Sequence, residues 1–273
     1  MINFYKKILL FIYFISIFGC FSQKNNEFYD FYNKKHKNLA FKVGEKVKYK
    51  FSYGQSNKKG ILTAGYGQIE VVGISNIDNS SCFKVQAKGG TTKLFDFFYE
   101  VDDLFESHIE TKNLTSLKFK RNIHEHNYKA NQVVLFDRKN NYANTSDFRN
   151  SRKGGLKISN NTQDMLSALF ASRNIPNENL LINDTIHLEI FNLEKNNIFP
   201  TYFVPINKET IKTKIGKLRT IKCKIFVEKS RIFSDKNSTY IWLTDDYRHL
   251  PVKVETPIRV GSIYIEILSV ENL

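Results

Sequence analysis

The chain is poor in the residues that most often announce chemistry. Three cysteines, one tryptophan and two methionines in 273 residues leave no Cys-x-x-Cys knuckle for zinc and no disulfide framework of the kind that staples small secreted domains. No phosphate-cradling Gly loop, no Gly-x-Gly-x-x-Gly fingerprint and no Gly-x-Ser-x-Gly nucleophile turn occurs. Ser167 lies within a predicted helix, without the sharp turn that would expose a nucleophile. Acidic residues are in the minority, with 27 Asp and Glu against 41 Lys and Arg and a formal charge of +14. The apolar stretch Ile8–Phe18 is shorter than the roughly 20 residues that span a bilayer. What is abundant is aromatic: 23 Phe and 14 Tyr, a strand-forming composition.

Residues 1–22 read as an export signal: Lys6 and Lys7 form a positive segment, Ile8–Phe18 an apolar one, and small residues follow. Two processing routes fit. Ile17-Phe18-Gly19-Cys20 ends as a lipobox does, making Cys20 a lipidation candidate, while Cys20-Phe21-Ser22 before Gln23 has the small-x-small spacing of ordinary cleavage. Either route sends the protein out of the cytoplasm, to the periplasm or the outer membrane. Loss of Lys6 and Lys7 leaves +12 on the mature chain. Export makes nucleic acid a poor partner for this charge, and the only membrane attachment expected is the anchor at Cys20. Residues 23–40, with Lys34-Lys35-His36-Lys37, read as a flexible tether.

Residues 41–273 read as one β-rich domain. Val47, Tyr49 and Phe51 alternate with Lys46, Lys48 and Lys50, the pattern of a strand with one wet face. Tyr53–Gly60 has hairpin-loop composition. Further strands are expected at Ile61–Val72, Cys82–Ala87, Leu94–Val101, Leu104–Glu110, Ser116–Ile123 and Tyr128–Phe136, with Asp102-Asp103 as a turn. Asp137–Thr162 is rich in Asn, Ser and Lys, holds Gly154-Gly155, and reads as an irregular or disordered loop. A helix follows over 163–173, capped by Asn161 or Thr162, with Met165, Leu166, Leu169 and Phe170 as its apolar stripe. Strands resume at Thr185–Phe191, Phe199–Ile206, Thr210–Ile215 and Lys217–Val227. Three more close the chain between Tyr240 and Val270, and Pro251, which lacks an N–H, should begin its strand or place that strand at a sheet edge. The expected fold is all-β: a strongly curved antiparallel sheet or barrel-like meander with one short amphipathic helix. Met165, Leu166, Leu169 and Phe170 are a candidate lid over one opening, with Ile241 and Leu243, or Ile263 and Ile265, as partners by parity.

The run Ile241-Trp-Leu-Thr-Asp-Asp-Tyr-Arg-His-Leu-Pro-Val-Lys-Val254, followed by Val260-Gly-Ser-Ile-Tyr-Ile-Glu-Ile267, resembles the end of a bacterial domain-of-unknown-function family, number 3108. The likeness extends upstream through Phe41–Gly54, Phe95–Glu110, Asp164–Arg173 and Glu209–Ile225, in the family's order. It implies the fold and an envelope location, and no chemistry. A looser likeness is to the half-barrels of periplasmic lipoprotein carriers, which also place an Asp…Leu-Pro hairpin late in the chain.

The local motifs point away from catalysis. His124-Glu125-His126 could share a metal if it were a strand, but it falls between two strand runs and reads as a turn. His36, His108, His187 and His249 stand singly. Asp102-Asp103 and Asp245-Asp246 sit where turns favour Asp. Cys223 alternates with Ile221 and Ile225 on a core face, whereas Cys82 shares parity with Lys84, Gln86 and Lys88 on the wet face, so the two are expected to be unpaired thiols. No residue is assigned to catalysis, to a cofactor or to a metal. The expectation is a non-catalytic binding or carrier module for an apolar or amphiphilic envelope ligand, a lipid for example. The alternative is a structural or assembly protein with a filled core. A tunnel closed by the helix would mark the first, a packed interior the second.

Overall fold

The computed structural model describes residues 39–54, 62–226, 239–257 and 261–273. The signal, Cys20, most of the tether, the loop within Tyr53–Gly60 and residues 258–260 lie outside the described residues. Fifteen strands make one curved sheet. The first eight are β1 (Lys46–Gly54), β2 (Leu62–Ile77), β3 (Ser80–Thr91), β4 (Asp102–Glu110), β5 (Ser116–Glu125), β6 (Tyr128–Asp137), β7 (Tyr142–Asp147) and β8 (Arg152–Lys157). The other seven are β9 (Thr162–Gln163), β10 (Ile186–Asn192), β11 (Asn197–Thr213), β12 (Gly216–Phe226), β13 (Thr239–Thr244), β14 (Pro251–Pro257) and β15 (Ser262–Glu271). Helix α1 (Lys93–Tyr99) lies between β3 and β4, and α2 (Met165–Arg173) follows β9.

The strand order is simple. The chain starts at the centre of the sheet, meanders outward from β1 to β8, crosses to the far edge at β9, and returns to β15, which pairs with β1. Neighbours are antiparallel except β9 with β10. The sheet is not closed: β8 and β9 are its two edges. The chain between those edges is pinned by Arg138, whose guanidinium donates to the carbonyls of Ser116, Ser159 and Thr162.

Several sequence expectations need correction. Leu94–Val101 is not a strand: α1 occupies most of it, because Phe95 and Tyr99, four apart, are the buried residues (6% and 4% exposed) while Leu94 and Phe97 are exposed. The segment expected to be a loop, Asp137–Thr162, holds β7 and β8. Its turns are built by repeated chemistry: Asp137 accepts from the backbone of Lys139 and Asn140, and Asp147 from that of Arg149 and Asn150. In both turns the Asn side chain returns a bond to the Asp. The helix cap is Asp164 rather than Asn161 or Thr162, since Thr162 and Gln163 pair with Glu189 and Ile190. Asp102-Asp103 opens β4 instead of forming a turn. Phe199–Ile206 and Thr210–Ile215 are one long strand, β11, with a register shift at Pro205/Asn207. Cys82 is fully buried rather than on a wet face.

The alternation read from β1 holds, with Val47 and Tyr49 buried and Lys48 exposed. Pro251 does begin its strand. The inner face of β2–β7 supplies Val71, Val85, Phe105, Phe119, Ile123 and Val134, and α2 adds Met165, Leu166 and Phe170 to the same cluster. A second cluster, around Phe203, Ile221, Cys223 and Leu243, serves β10–β13.

Candidate binding surface

Helix α2 is buried on all sides: of its nine residues only Leu169 is not fully buried. It packs on β4, β9 and β10, not on the closing strands that parity offered. Phe170 meets Phe41 edge-on at 4.6 Å, and Phe41 meets Phe83 likewise at 5.1 Å. Both helix ends are tied down by polar bonds. At the start, Asp164 accepts from the backbone of Leu166 and Ser167, and Ser167 bonds back to the Asp164 N–H, a reciprocal cap. The second Asp164 oxygen accepts from Ser107 on β4 at 2.6 Å. Burial raises this carboxyl's pKa above the ordinary range, against the lowering effect of the bonds from Ser107 and the helix N–H groups.

At the helix end, Arg173 makes a bidentate pair with Glu45 at 2.6 and 3.0 Å. Both side chains are 3% exposed. The same guanidinium donates to the carbonyls of Ala40 and Arg248 and lies over the Phe170 ring. Asn174 links the Ala40 N–H to the Phe170 carbonyl. His249 bonds the Arg173 carbonyl and the Asn177 side chain, and burial holds its pKa below the ordinary histidine value. The helix is therefore bolted to the N-terminal segment and to the β13–β14 loop.

The interior also holds two acids near the end of α1. Asp103 and Glu125 are 2% and 4% exposed. One Asp103 oxygen accepts from the His124 N–H at 2.8 Å, and the other has no hydrogen-bond partner among the described residues. Glu125 accepts from Tyr99 at 3.4 Å. Arg121 turns to Gln132, Tyr128 and Glu194 instead. Burial, chiefly, raises Asp103 to about 7, and burial with the Asp103 charge raises Glu125 to about 8.

Of the residues singled out as metal or acid–base candidates, Asp103 and the His124-Glu125-His126 triplet come together, while Asp245 and Asp246 stand apart. His124 ends β5 with Glu125, and His126 is the turn residue, at φ +45°, with its ring 5.6 Å from that of Tyr99. Among the described residues no three His, Cys, Asp or Glu converge on a metal position. Asp245 and Asp246 act locally, Asp245 with Lys208 and Arg219 and Asp246 with Thr244 and Arg248. Cys82 and Cys223 are both buried free thiols.

Two open hollows among the described residues lie elsewhere. A hollow of about 390 Å³ is lined by Lys48, Tyr66, Gln68, Lys88, Asp102 and Leu268, with Gly67, Gly89 and Gly90 contributing no side chain. A second, about 250 Å³, is lined by Lys50, Lys212, Lys214, Lys253, Glu266 and Leu268 among others. Leu268 stands at the β1–β15 register shift and belongs to both. The far wall of the second hollow is the tip of the β11–β12 hairpin. Beyond its register shift this hairpin packs Ile211, Ile215 and Leu218 onto the cluster holding Trp242, and Glu209 accepts from the indole N–H at 2.7 Å. Lys222 and Lys253 lie over the Trp242 ring. Nothing in the sequence brings these lysines together, because the placement of the hairpin follows its register shift at Pro205/Asn207.

An open, strongly curved antiparallel sheet with a helix packed inside defines a barrel-like β protein. The model of a family described as proteins of unknown function, DUF3108, matches residues 48–268, and the chain belongs to that family. Among solved structures it is similar to a β-barrel-like protein of the DUF1849 family from Brucella abortus. The TM-score is 0.55 at 8% identity, over 85% of this chain and 98% of that one. A candidate lipoprotein from Parabacteroides distasonis matches at TM-score 0.35 and 11% identity, over 87% of this chain and 100% of that one. A candidate exported protein of YmcC-like fold from Bacteroides fragilis matches at 0.31 and 10%, over 85% and 98%. No curated protein matches the chain.

Proposed function

We propose that this protein is an exported, non-catalytic envelope module with a packed interior, which meets its partners on its surface. The observation that carries the reading is the burial of α2, eight of whose nine residues are buried. A lid must leave its seat to admit a ligand. Moving α2 would break the bond to Ser107 and strand the Glu45 carboxylate in the interior, and breaking a buried ion pair typically costs about 3–5 kcal/mol. Met165, Leu166 and Phe170 thus serve the core, and Leu169 is its partly buried edge. Export rests on the leader segment Lys6–Phe18 and the small residues after it, with Cys20 as anchor or Gln23 as the free end.

Native mass spectrometry of the protein purified from its own envelope tests both parts. The expected species is the mature chain, beginning at a diacylated Cys20 or at Gln23, without a retained amphiphile. A stoichiometric lipid would overturn the packed-interior reading in favour of a carrier. An intact Met1 terminus recovered from cytosol would overturn export.

A further inference from the structure

We infer that the two hollows meeting at Leu268 form one groove for a linear acidic glycan. The inference rests on the surface-acting, exported reading above and names the partner class. The groove runs from β3 across β2, β1 and β15 to β14 and the β11–β12 hairpin tip. Those four strand spacings amount to about 19 Å, room for several sugar units in line.

Charge selects the sign of the ligand. Lys48, Lys50 and Lys253 are already paired, with Glu271, Glu266 and Glu255. Lys88 at one end and Lys212 and Lys214 at the other are exposed and have no ion pair among the described residues. The cations still free to take a partner therefore stand at the two ends of the groove, with the exposed Asp102 in the same hollow as Lys88, and a locally neutralised strip lies between them. A compact anion could satisfy only one end, whereas a chain with repeated carboxylates or phosphates meets both. Tyr66, 51% exposed, offers an aromatic face beside the lysines. Nucleic acid is set aside by export.

The test measures binding of the mature protein to polygalacturonate at physiological salt, beside dextran as a neutral chain and phosphatidylglycerol vesicles as an anionic surface. Polygalacturonate should bind and dextran should not. Replacing Lys88, Lys212 and Lys214 together by Glu should weaken polygalacturonate binding at least about tenfold. The same charge change at Lys139, Lys153 and Lys157, all exposed and placed on the β6–β8 side, should alter it less than about twofold. Tyr66→Ala should cost a few-fold while leaving the charge intact. Equal losses in the two charge triples would mean non-specific attraction and overturn the groove. Vesicle binding with no polygalacturonate binding would overturn the glycan in favour of a lipid surface. Both outcomes are separable from failure of the packed-interior reading, which is judged by a retained amphiphile and not by these variants.

Discussion

The two faces of the same strands do opposite work. In β1, Val47 and Tyr49 turn into the cores while Lys46, Lys48 and Lys50 carry ion pairs to Glu70, Glu271 and Glu266. The inner face buries few charges, and where it does each is either fully bonded, as Arg173 and Glu45 are, or a carboxyl held toward its neutral form, as Asp103 and Glu125 are. The outer face tolerates many charges because water screens them, and such pairs add little stability. The comparison teaches where function can be sited: the interior is held by bonds that motion would break, and the exterior keeps cations free for a partner.

That contrast can be broken by mutation. The largest expected effect is at the buried pair. Arg173→Ala should cost about 3–5 kcal/mol by leaving Glu45 charged and alone, read as the urea midpoint with an unchanged m-value. Next come the apolar residues of α2. Leu166→Ala, at a position 2% exposed, should cost about 3 kcal/mol, and Leu169→Ala, at a partly buried position of the same helix, about 1 kcal/mol. Equal costs would mean the helix is not seated as described.

The acid pair gives a pH dependence of known sign. Asp103 and Glu125 have folded-state values raised to about 7 and 8, above their unfolded values near 4. Between these limits the folded state holds protons that the unfolded state has lost. Stability should therefore fall as pH rises from about 4 to 8, by up to about 1.4 kcal/mol per unit for each group, and level off above. Asp103→Asn should flatten that slope. The smallest effect belongs to the outer face: Lys88→Ala should change stability by less than about 0.5 kcal/mol.

Much of this fold was legible, and the illegible parts have particular reasons. Period-two alternation revealed β1 and the closing strands because each has one dry face. It misread Leu94–Tyr99, where an aromatic run satisfies strand and helix patterns alike until the spacing of Phe95 and Tyr99 is weighed. It missed β7 and β8 because Asn and Lys mask strands whose real signal is the pair of Asp-x-x-Asn turns before them. The groove was not legible at all, since it unites Lys88 with Lys212 and Lys214 through a hairpin bent at one register shift. Nor was the Arg173–Glu45 pair, whose partners stand 128 residues apart.

The most direct test of a packed interior is amide hydrogen exchange in α2. If the helix is part of the core, the amides of Ala168–Arg173 exchange as slowly as those of β3–β5 and only through global unfolding. Exchange in α2 orders of magnitude faster than in those strands, under conditions where the strands remain protected, would show a helix that opens on its own and would contradict the account.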